Sequence, residues 1–197
     1  MNGPRSDFSD PIAALIESHH RIEHTLASVL VLAREAHGAE LSLEQRSTLE
    51  LALEELGTEV PRHLQDEMDS LFPRIRSAPS PQVDAVRHLL DGLQTDRVLA
   101  DERQRDIEVL IYCWLSDGEL PAPKAQHLIM VIKELAAIYQ KHIGTLNTVL
   151  FPLAGDILTE PQIQDIGREM AERRGIHWED SPEDQEASPG ASPPEED

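Results

Sequence analysis

Two segments of the chain end in the same way, and this repeat is the strongest constraint on the fold. His63 is followed eight residues later by a Leu-Phe-Pro sequence at 71–73, and His142 is followed at the same spacing by Leu-Phe-Pro at 150–152. Each ending closes a stretch whose apolar residues recur with the period of an α-helix. The repeat indicates two copies of one helical hairpin. The sequence therefore predicts an all-α chain whose core is an antiparallel up-down four-helix bundle.

Helix start and stop signals divide the chain into five predicted helices. These run from Asp10 to Gly38, from Ser42 to about Ser77, from Ser80 to Gly118, from Pro121 to Pro152 and, as a short fifth helix, from Thr159 to Gly175. Pro61 lies inside the second helix and is expected to kink it by freeing the carbonyl of Gly57. Aromatic residues make up only 4% of the chain, which favours helices over β-strands.

Composition separates both ends of the chain from the predicted bundle. From Trp178 onward the sequence holds eight acidic residues and no Lys or Arg. Such a segment cannot bury enough apolar surface to offset its ordering entropy. We predict an N-terminal arm at 1–9, the helical bundle at 10–175 and a disordered acidic C-terminal tail at 176–197.

The charge balance argues against two classes of partner. A formal net charge of −20 repels phosphate backbones and anionic lipid head groups, so we expect neither nucleic acid nor a membrane as partner. A single cysteine, Cys113, excludes an internal disulfide. The N-terminus lacks the pattern of a signal peptide, and no apolar run approaches the roughly 20 residues that span a bilayer. These features predict a cytoplasmic location and identify no protein partner.

Histidines interrupt the apolar stripes of three predicted helices. The stripes are Ile12, Leu15, His19, Ile22, Leu26 and Val29 in the first helix, Leu49, Leu53, Leu56, Val60, His63, Glu67 and Leu71 in the second, and Leu128, Val131, Leu135, Ile138, His142, Leu146 and Val149 in the fourth. Glu23 and Glu67 each follow a stripe histidine by four residues and so lie on the same side of their helix. His20 and His24 turn towards the edge of the first stripe.

This set of side chains predicts a buried metal site. A lone core histidine is more often a hydrogen-bonded structural residue, but three at similar depth, accompanied by two glutamates, are harder to explain in that way. Buried carboxylates are costly without compensation, which a cation supplies. Imidazole and carboxylate without thiolate suit iron, with manganese or zinc as alternatives. The predicted metal ligands are His19, Glu23, His63, Glu67 and His142.

Four segments resemble the hemerythrin-like (HHE cation-binding) family. They are ESHHRIEHTL near the start, RHLQDEMDSLFP, YQKHIGTLNTVLFPLA and the ending REMAERRG, which together span residues 10–175. The resemblance implies a four-helix bundle holding a di-iron centre through one histidine per helix and HxxxE carboxylates. It also implies interaction with a small diatomic or peroxide ligand, in storage, sensing or stress protection. The residues at metal-ligand positions of the family pattern are His19, His63, Glu67 and His142.

Two positions depart from the family pattern. Leu146 stands where the fourth helix should carry a glutamate, and Arg97 stands where the third helix should offer a histidine, with Asp96 as the alternative if the register shifts by one residue. The remaining ligands are sparse for two metals and sufficient for one. A cationic Arg97 would also repel a second ion and could pair with Glu67, Glu23 or Asp101. The sequence therefore favours a mononuclear over a di-iron site.

Three functions compete on these observations. The first is a hemerythrin-like iron-binding protein, and the second is a metal-free bundle of the same family that serves as a protein-interaction module. The third, a ferritin-like carboxylate oxidase, needs two Glu-x-x-His pairs, and only Glu17 and His20 form one. No general-acid or nucleophile arrangement is visible, so no reaction is predicted. Tyr139 is read as a packing residue, although it lies one turn before His142 and could reach a metal.

Overall fold

The computed structural model describes residues 8–177, and this part of the chain consists of helices and short loops without a β-strand. The α-helices are α1 (Pro11–Ala36), α2 (Leu43–Glu54), α3 (Val60–Gln65), α4 (Phe72–Ser77), α5 (Pro81–Asp117), α6 (Ala122–Thr145), α7 (Phe151–Ile157) and α8 (Glu160–Arg173). Three π-helical turns join them: π1 (Glu55–Glu59), π2 (Asp66–Leu71) and π3 (Leu146–Leu150). The predicted all-α class is confirmed. Most of the predicted arm and of the acidic tail lies outside the described residues.

The helix ends follow the capping signals of the sequence. The Asp10 carboxylate accepts a hydrogen bond from the Ala13 backbone N–H at 2.9 Å, and Ser42 forms a reciprocal capping box with Gln45. Gly38, with φ +83°, ends the turn after α1, and a Cβ there would lie 2.1 Å from the carbonyl oxygen of Leu120. The Leu120 N–H donates to the Gly38 carbonyl at 2.7 Å. This close approach, which only glycine allows, fastens the loop after α1 to the loop before α6.

The π-turns change two predictions about the long helices. Each is followed at the second position by a proline, and widening the turn relieves the clash between a proline ring and the preceding carbonyl. The predicted helix end at Pro152 is wrong, because π3 lets the chain continue through α7 to Ile157. The carbonyl freed by Pro61 is that of Leu56, not of Gly57. In the π register the Val60 N–H bonds Glu55, and the Gln104 side-chain amide donates to Leu56 O at 2.7 Å.

The helices pack as a ring that surrounds a divided core. α1 contacts α2 and α6, α5 also contacts α2 and α6, and α8 lies against α1 and π2. One apolar cluster includes Trp114 and Leu128, and a second includes Phe72 and Leu146. A layer of buried polar side chains lies between the two clusters, at the level of π2 and π3. No helix in the described part of the chain is long and apolar enough to cross a membrane.

Candidate metal centre

Four of the five predicted ligands meet between the two apolar clusters. Each of the four offers one donor atom, and these atoms all lie within 4.8 Å of one another. They come from α1, α3, π2 and α6, and all four side chains are buried. The group consists of His19, His63, Glu67 and His142.

The three imidazoles converge on one carboxylate. The Nε2 atoms of His19 and His63 lie 3.2 Å and 3.0 Å from Oε1 of Glu67. On the other side, Nε2 of His142 lies 2.8 Å from Oε2 of the same side chain. Because a carboxylate only accepts hydrogen bonds, the Nε2 atoms of His19 and His142 are the donors in these two bonds. All three Nε2 atoms therefore face a common centre.

Glu67 lies at the junction of α3 and π2. The backbone between His63 and Asp66 is α-helical, since the Asp66 N–H donates to the carbonyl of Arg62, and π2 begins at Asp66. Glu67 is fully buried there, and its Oε1 lies 3.0 Å from Nε2 of His63, four residues earlier. The carboxylate thus reaches the centre of the ring from the start of π2.

The charges in the group balance one another. Burial alone would raise the pKa of Glu67, but the charges of His142 and His63 and the imidazole hydrogen bonds outweigh burial and hold the pKa well below its ordinary value. Burial lowers the pKa of His19 despite its hydrogen bond to Glu67. The pKa of His142 is raised, because the Glu67 charge and hydrogen bond overcome burial. These shifts favour the ionised form of Glu67 and the protonated form of His142, and they disfavour protonation of His19.

Some imidazole nitrogens of the group lack a hydrogen-bond partner, and this bears on whether the group can bind a cation. Three buried ring nitrogens have no hydrogen-bond partner among the described residues. They are Nδ1 and Nε2 of His63 and Nδ1 of His19. His63 Nε2 is close to Glu67, but this contact does not qualify as a hydrogen bond. Buried polar atoms are rarely left unpaired in native proteins. Of the three unpaired nitrogens, only Nε2 of His63 faces the common centre, where a cation would give it a partner. Together with Nε2 of His19, Nε2 of His142 and the Glu67 carboxylate, it makes a donor set for a divalent transition metal, so the residues fit a bound ion.

Glu23, the fifth predicted ligand, lies apart from the other four. Its side chain is 49% exposed, and its carboxylate is 4.0 Å from Nδ1 of the exposed His20. α1 is a regular α-helix here, and Glu23 lies on its exposed side. His20 and His24 also face outward, as the stripe of α1 predicts.

The two departures from the family pattern are visible at the same level. Leu146 is fully buried in π3 and contributes only packing. Arg97 is one-third exposed, and its Nε lies 3.7 Å from a carboxylate oxygen of Asp101. Asp96 pairs instead with Lys141 at 2.7 Å. Of the described residues in α5, none joins the four-residue group.

A second polar network, absent from the sequence-based prediction, adjoins the site. Asp66 is fully buried, and its two carboxylate oxygens lie 2.8 Å from guanidinium nitrogens of Arg173 and Arg174. Burial raises the pKa of Asp66 in spite of these two partners. The Ser70 hydroxyl donates to Glu169. The only sequence signal was the arginine-rich end of the fifth helix. The network fastens α8 to π2, the turn that carries Glu67.

Most of the described chain matches a known protein family. The family model described as the hemerythrin HHE cation binding domain matches residues 10–154. This segment holds all four members of the buried group and most of the described helices. No curated protein matches the chain.

Proposed function

The chain belongs to the hemerythrin HHE cation-binding family, and we propose that its buried histidine and glutamate layer binds a single iron ion. The observation that supports this proposal is the convergence of four donor atoms within 4.8 Å of one another. The proposed ligands are the side chains of His19, His63, Glu67 and His142. Glu23 is left out of the set, since its carboxylate is half exposed.

The ligand count supports one ion rather than two. Three imidazoles and one carboxylate can hold a mononuclear centre with positions left open for a small ligand, whereas a di-iron site requires further carboxylates and histidines. At the level where those would be expected, Leu146 is apolar and the Arg97 guanidinium faces Asp101. A carboxylate–imidazole donor set suits iron, with manganese and zinc as the competing metals.

We propose a binding role in the handling of dioxygen, nitric oxide or peroxide, for storage, sensing or stress protection. When bound, iron would supply a redox-active centre with affinity for such ligands. The chain's own residues contribute an anionic Glu67, a burial that restricts water, and nitrogens already facing the centre. The described residues offer no nucleophile arrangement beside the group, so we propose no enzymatic reaction.

The finer architecture belongs to the same proposal. The long helices and their π-turns make up four helical rods, at 11–36, 43–77, 81–117 and 122–157. We propose that these rods form an antiparallel up-down bundle within a domain spanning 10–175, followed by an acidic tail that stays outside its core. A cytoplasmic location, without nucleic acid or membrane partners, also remains a proposal, supported by the net charge of −20.

Elemental analysis tests the proposal directly. Protein from cells grown in iron-supplemented medium should contain at most one iron per chain, and its ultraviolet–visible spectrum should change on oxidation and reduction. His63→Ala should remove most of the metal, because His63 is fully buried in the group. The matched control is His20→Ala, which alters an imidazole that is 72% exposed and should leave the metal content unchanged.

Two irons per chain would contradict the mononuclear site. Protein that takes up no metal under any reconstitution condition would instead favour the metal-free interaction module.

A further inference from the structure

Tyr139 carries a buried hydroxyl group that the packing does not explain. The side chain is only 2% exposed, and its hydroxyl has no hydrogen-bond partner among the described residues. A buried hydroxyl without a partner costs free energy, and phenylalanine would fill the same space without this cost. The hydroxyl therefore calls for a partner beyond the side chains of residues 8–177.

The phenol ring lies beside the metal-binding layer. Tyr139 precedes His142 by about one turn of α6, and the two rings meet edge to face with centroids 6.3 Å apart. A phenol hydroxyl can donate a hydrogen bond, so Tyr139 can offer a donor next to this layer.

A surface groove also reaches Tyr139. It lies between α1 and α6, has a volume of about 370 Å³, and has walls that include Glu23, Ala27, Lys133, Ala136, Ala137 and Tyr139. The small alanine side chains on both helices leave the groove open. Tyr139 thus lines the groove and also lies beside the buried group.

We propose that a small ligand reaches the metal centre through the α1–α6 groove and accepts a hydrogen bond there from the Tyr139 hydroxyl. The ligand class is a diatomic molecule or small anion with a lone pair that can accept this bond. Tyr139 is then a positioning residue that raises ligand affinity without holding the metal. This inference rests on the proposed function, since it requires a bound ion.

The test compares the two tyrosines of the chain. Tyr139→Phe removes the buried hydroxyl, while Tyr112→Phe removes a hydroxyl from a side chain that is 68% exposed. Both variants should retain the iron content of the natural chain. Azide, titrated into the oxidised iron-loaded protein and followed spectroscopically, should bind about two- to tenfold more weakly to Tyr139→Phe, the range expected for one hydrogen bond. Tyr112→Phe should match the natural chain.

Two further measurements separate this role from a structural one. In the metal-free protein, the melting temperature of Tyr139→Phe should be unchanged or higher, because no internal hydrogen bond is lost. A clear fall would assign the hydroxyl a structural partner and overturn the inference. If the iron-loaded natural protein shows a visible phenolate-to-iron absorption band that Tyr139→Phe lacks, Tyr139 is itself a ligand and the inference is also wrong.

The proposed route is tested by filling the groove. Ala137→Trp should slow azide association several-fold, whereas Ala85→Trp, on the exposed face of α5, should not. An unchanged association rate would contradict access through this groove. Absence of iron from the natural protein would defeat the proposed function itself. Equal azide affinity of both phenylalanine variants in iron-loaded protein would defeat only the inference about Tyr139.

Discussion

The turns π2 and π3 have the same backbone design and different chemistry. Each follows a buried histidine, ends at a Leu-Phe-Pro sequence and places the fourth residue after the histidine at zero exposure. In π2 that residue is Glu67, which contacts all three histidines. In π3 it is Leu146, which packs in an apolar cluster. The comparison teaches that the repeated framework positions a side chain, while one residue decides whether that position binds a cation.

The rods that contain these turns differ in two further ways. The first has an additional turn, π1, before Pro61, whereas the corresponding part of α6 is a continuous α-helix with Gln140 in the matching position. The residue before Glu67 is Asp66, which is paired with α8. Its counterpart, Thr145, only bonds the carbonyl of Lys141 in its own helix, at 3.0 Å. The residue before Glu67 is thus held by ion pairs to another helix, whereas its counterpart before Leu146 bonds only within its own helix.

Making π2 resemble π3 should have the largest effect. Glu67→Leu removes the only carboxylate of the group and should weaken iron binding by more than about 100-fold, beyond the loss typical of an outer-shell partner. Isothermal titration with ferrous iron under anaerobic conditions measures this change. Glu23→Leu is the control, because Glu23 is half exposed and away from the group. A similar loss for both variants would mean that Glu23 swings inward when metal binds.

The reverse change sharpens the comparison. Leu146→Glu places a carboxylate at a fully buried position and should destabilise the metal-free protein by about 3 kcal/mol, because the charge lacks a partner. Leu146→Gln, of similar size and uncharged, should cost less, and urea unfolding measures both. Combining Leu146→Glu with Arg97→His should raise the iron content above one per chain. If the double variant folds and takes up no more iron, α5 does not face the site in the way the repeat implies, and Asp96 becomes the position to change.

Sequence reasoning identified the four converging residues because helical periodicity is enough to put a side chain on the core face. His19, His63 and His142 each continue an apolar stripe, and their burial follows from it. Glu23 and Glu67 have the same spacing from a histidine, so spacing alone could not separate them, and only the family resemblance favoured Glu67. The structure separates them by burial: Glu67 is enclosed by the three histidines, whereas Glu23 is half exposed beside His20.

The polar pairs around the site were harder to predict. The Gln104 amide reaches the Leu56 carbonyl across 48 positions of sequence, and such a partnership depends on how two helices lie against each other. The prolines after each π-turn were visible, but they were interpreted as a kink and as a helix end. A proline that follows a histidine by ten residues in both hairpins was the available signal for a widened turn.

The additional turn π1 leads to a prediction of a smaller change in the free energy of unfolding. Gln104→Ala leaves the Leu56 carbonyl without its side-chain donor and should lower the free energy of unfolding by about 1 kcal/mol. In a Pro61→Ala background the restored N–H can take over, so the same substitution should cost less there. Urea unfolding of the two single variants and the double variant measures this coupling. Purely additive effects would show that proline and glutamine act independently.

The smallest expected effect is a pH-dependent change in the free energy of unfolding, caused by Glu169 of α8 and its partners Arg74 and Ser70. Burial opposes ionisation of Glu169, but hydrogen bonds from Arg74 and Ser70 lower its pKa below the ordinary 4.5. A lowered pKa in the folded state stabilises the protein above about pH 4.5, and this contribution is lost as the pH falls through the folded-state value. Since Glu169 is one-third exposed, solvent screening should keep the contribution below about 1 kcal/mol.

Unfolding of the natural chain and of Glu169→Gln between pH 3 and 6 checks this prediction. The two proteins should differ most at pH 6 and converge at pH 3. Asp165→Gln is the matched control, because it alters an exposed carboxylate of the same helix. A difference that stays constant with pH would assign the effect of Glu169 to packing instead of charge.

Asp66 and its partners in α8 are synthesised at different times during translation. Asp66 lies in the first half of the chain, and its partner Arg173 follows it by 107 residues. During synthesis the four long helical rods emerge before Arg173 and Arg174 do. Until then the Asp66 carboxylate, next to Glu67, lacks both guanidinium groups. The charges beside the metal-binding layer therefore differ from those of the finished protein. Docking of α8 on π2 therefore becomes possible only after the segments that carry all four proposed ligands have been synthesised.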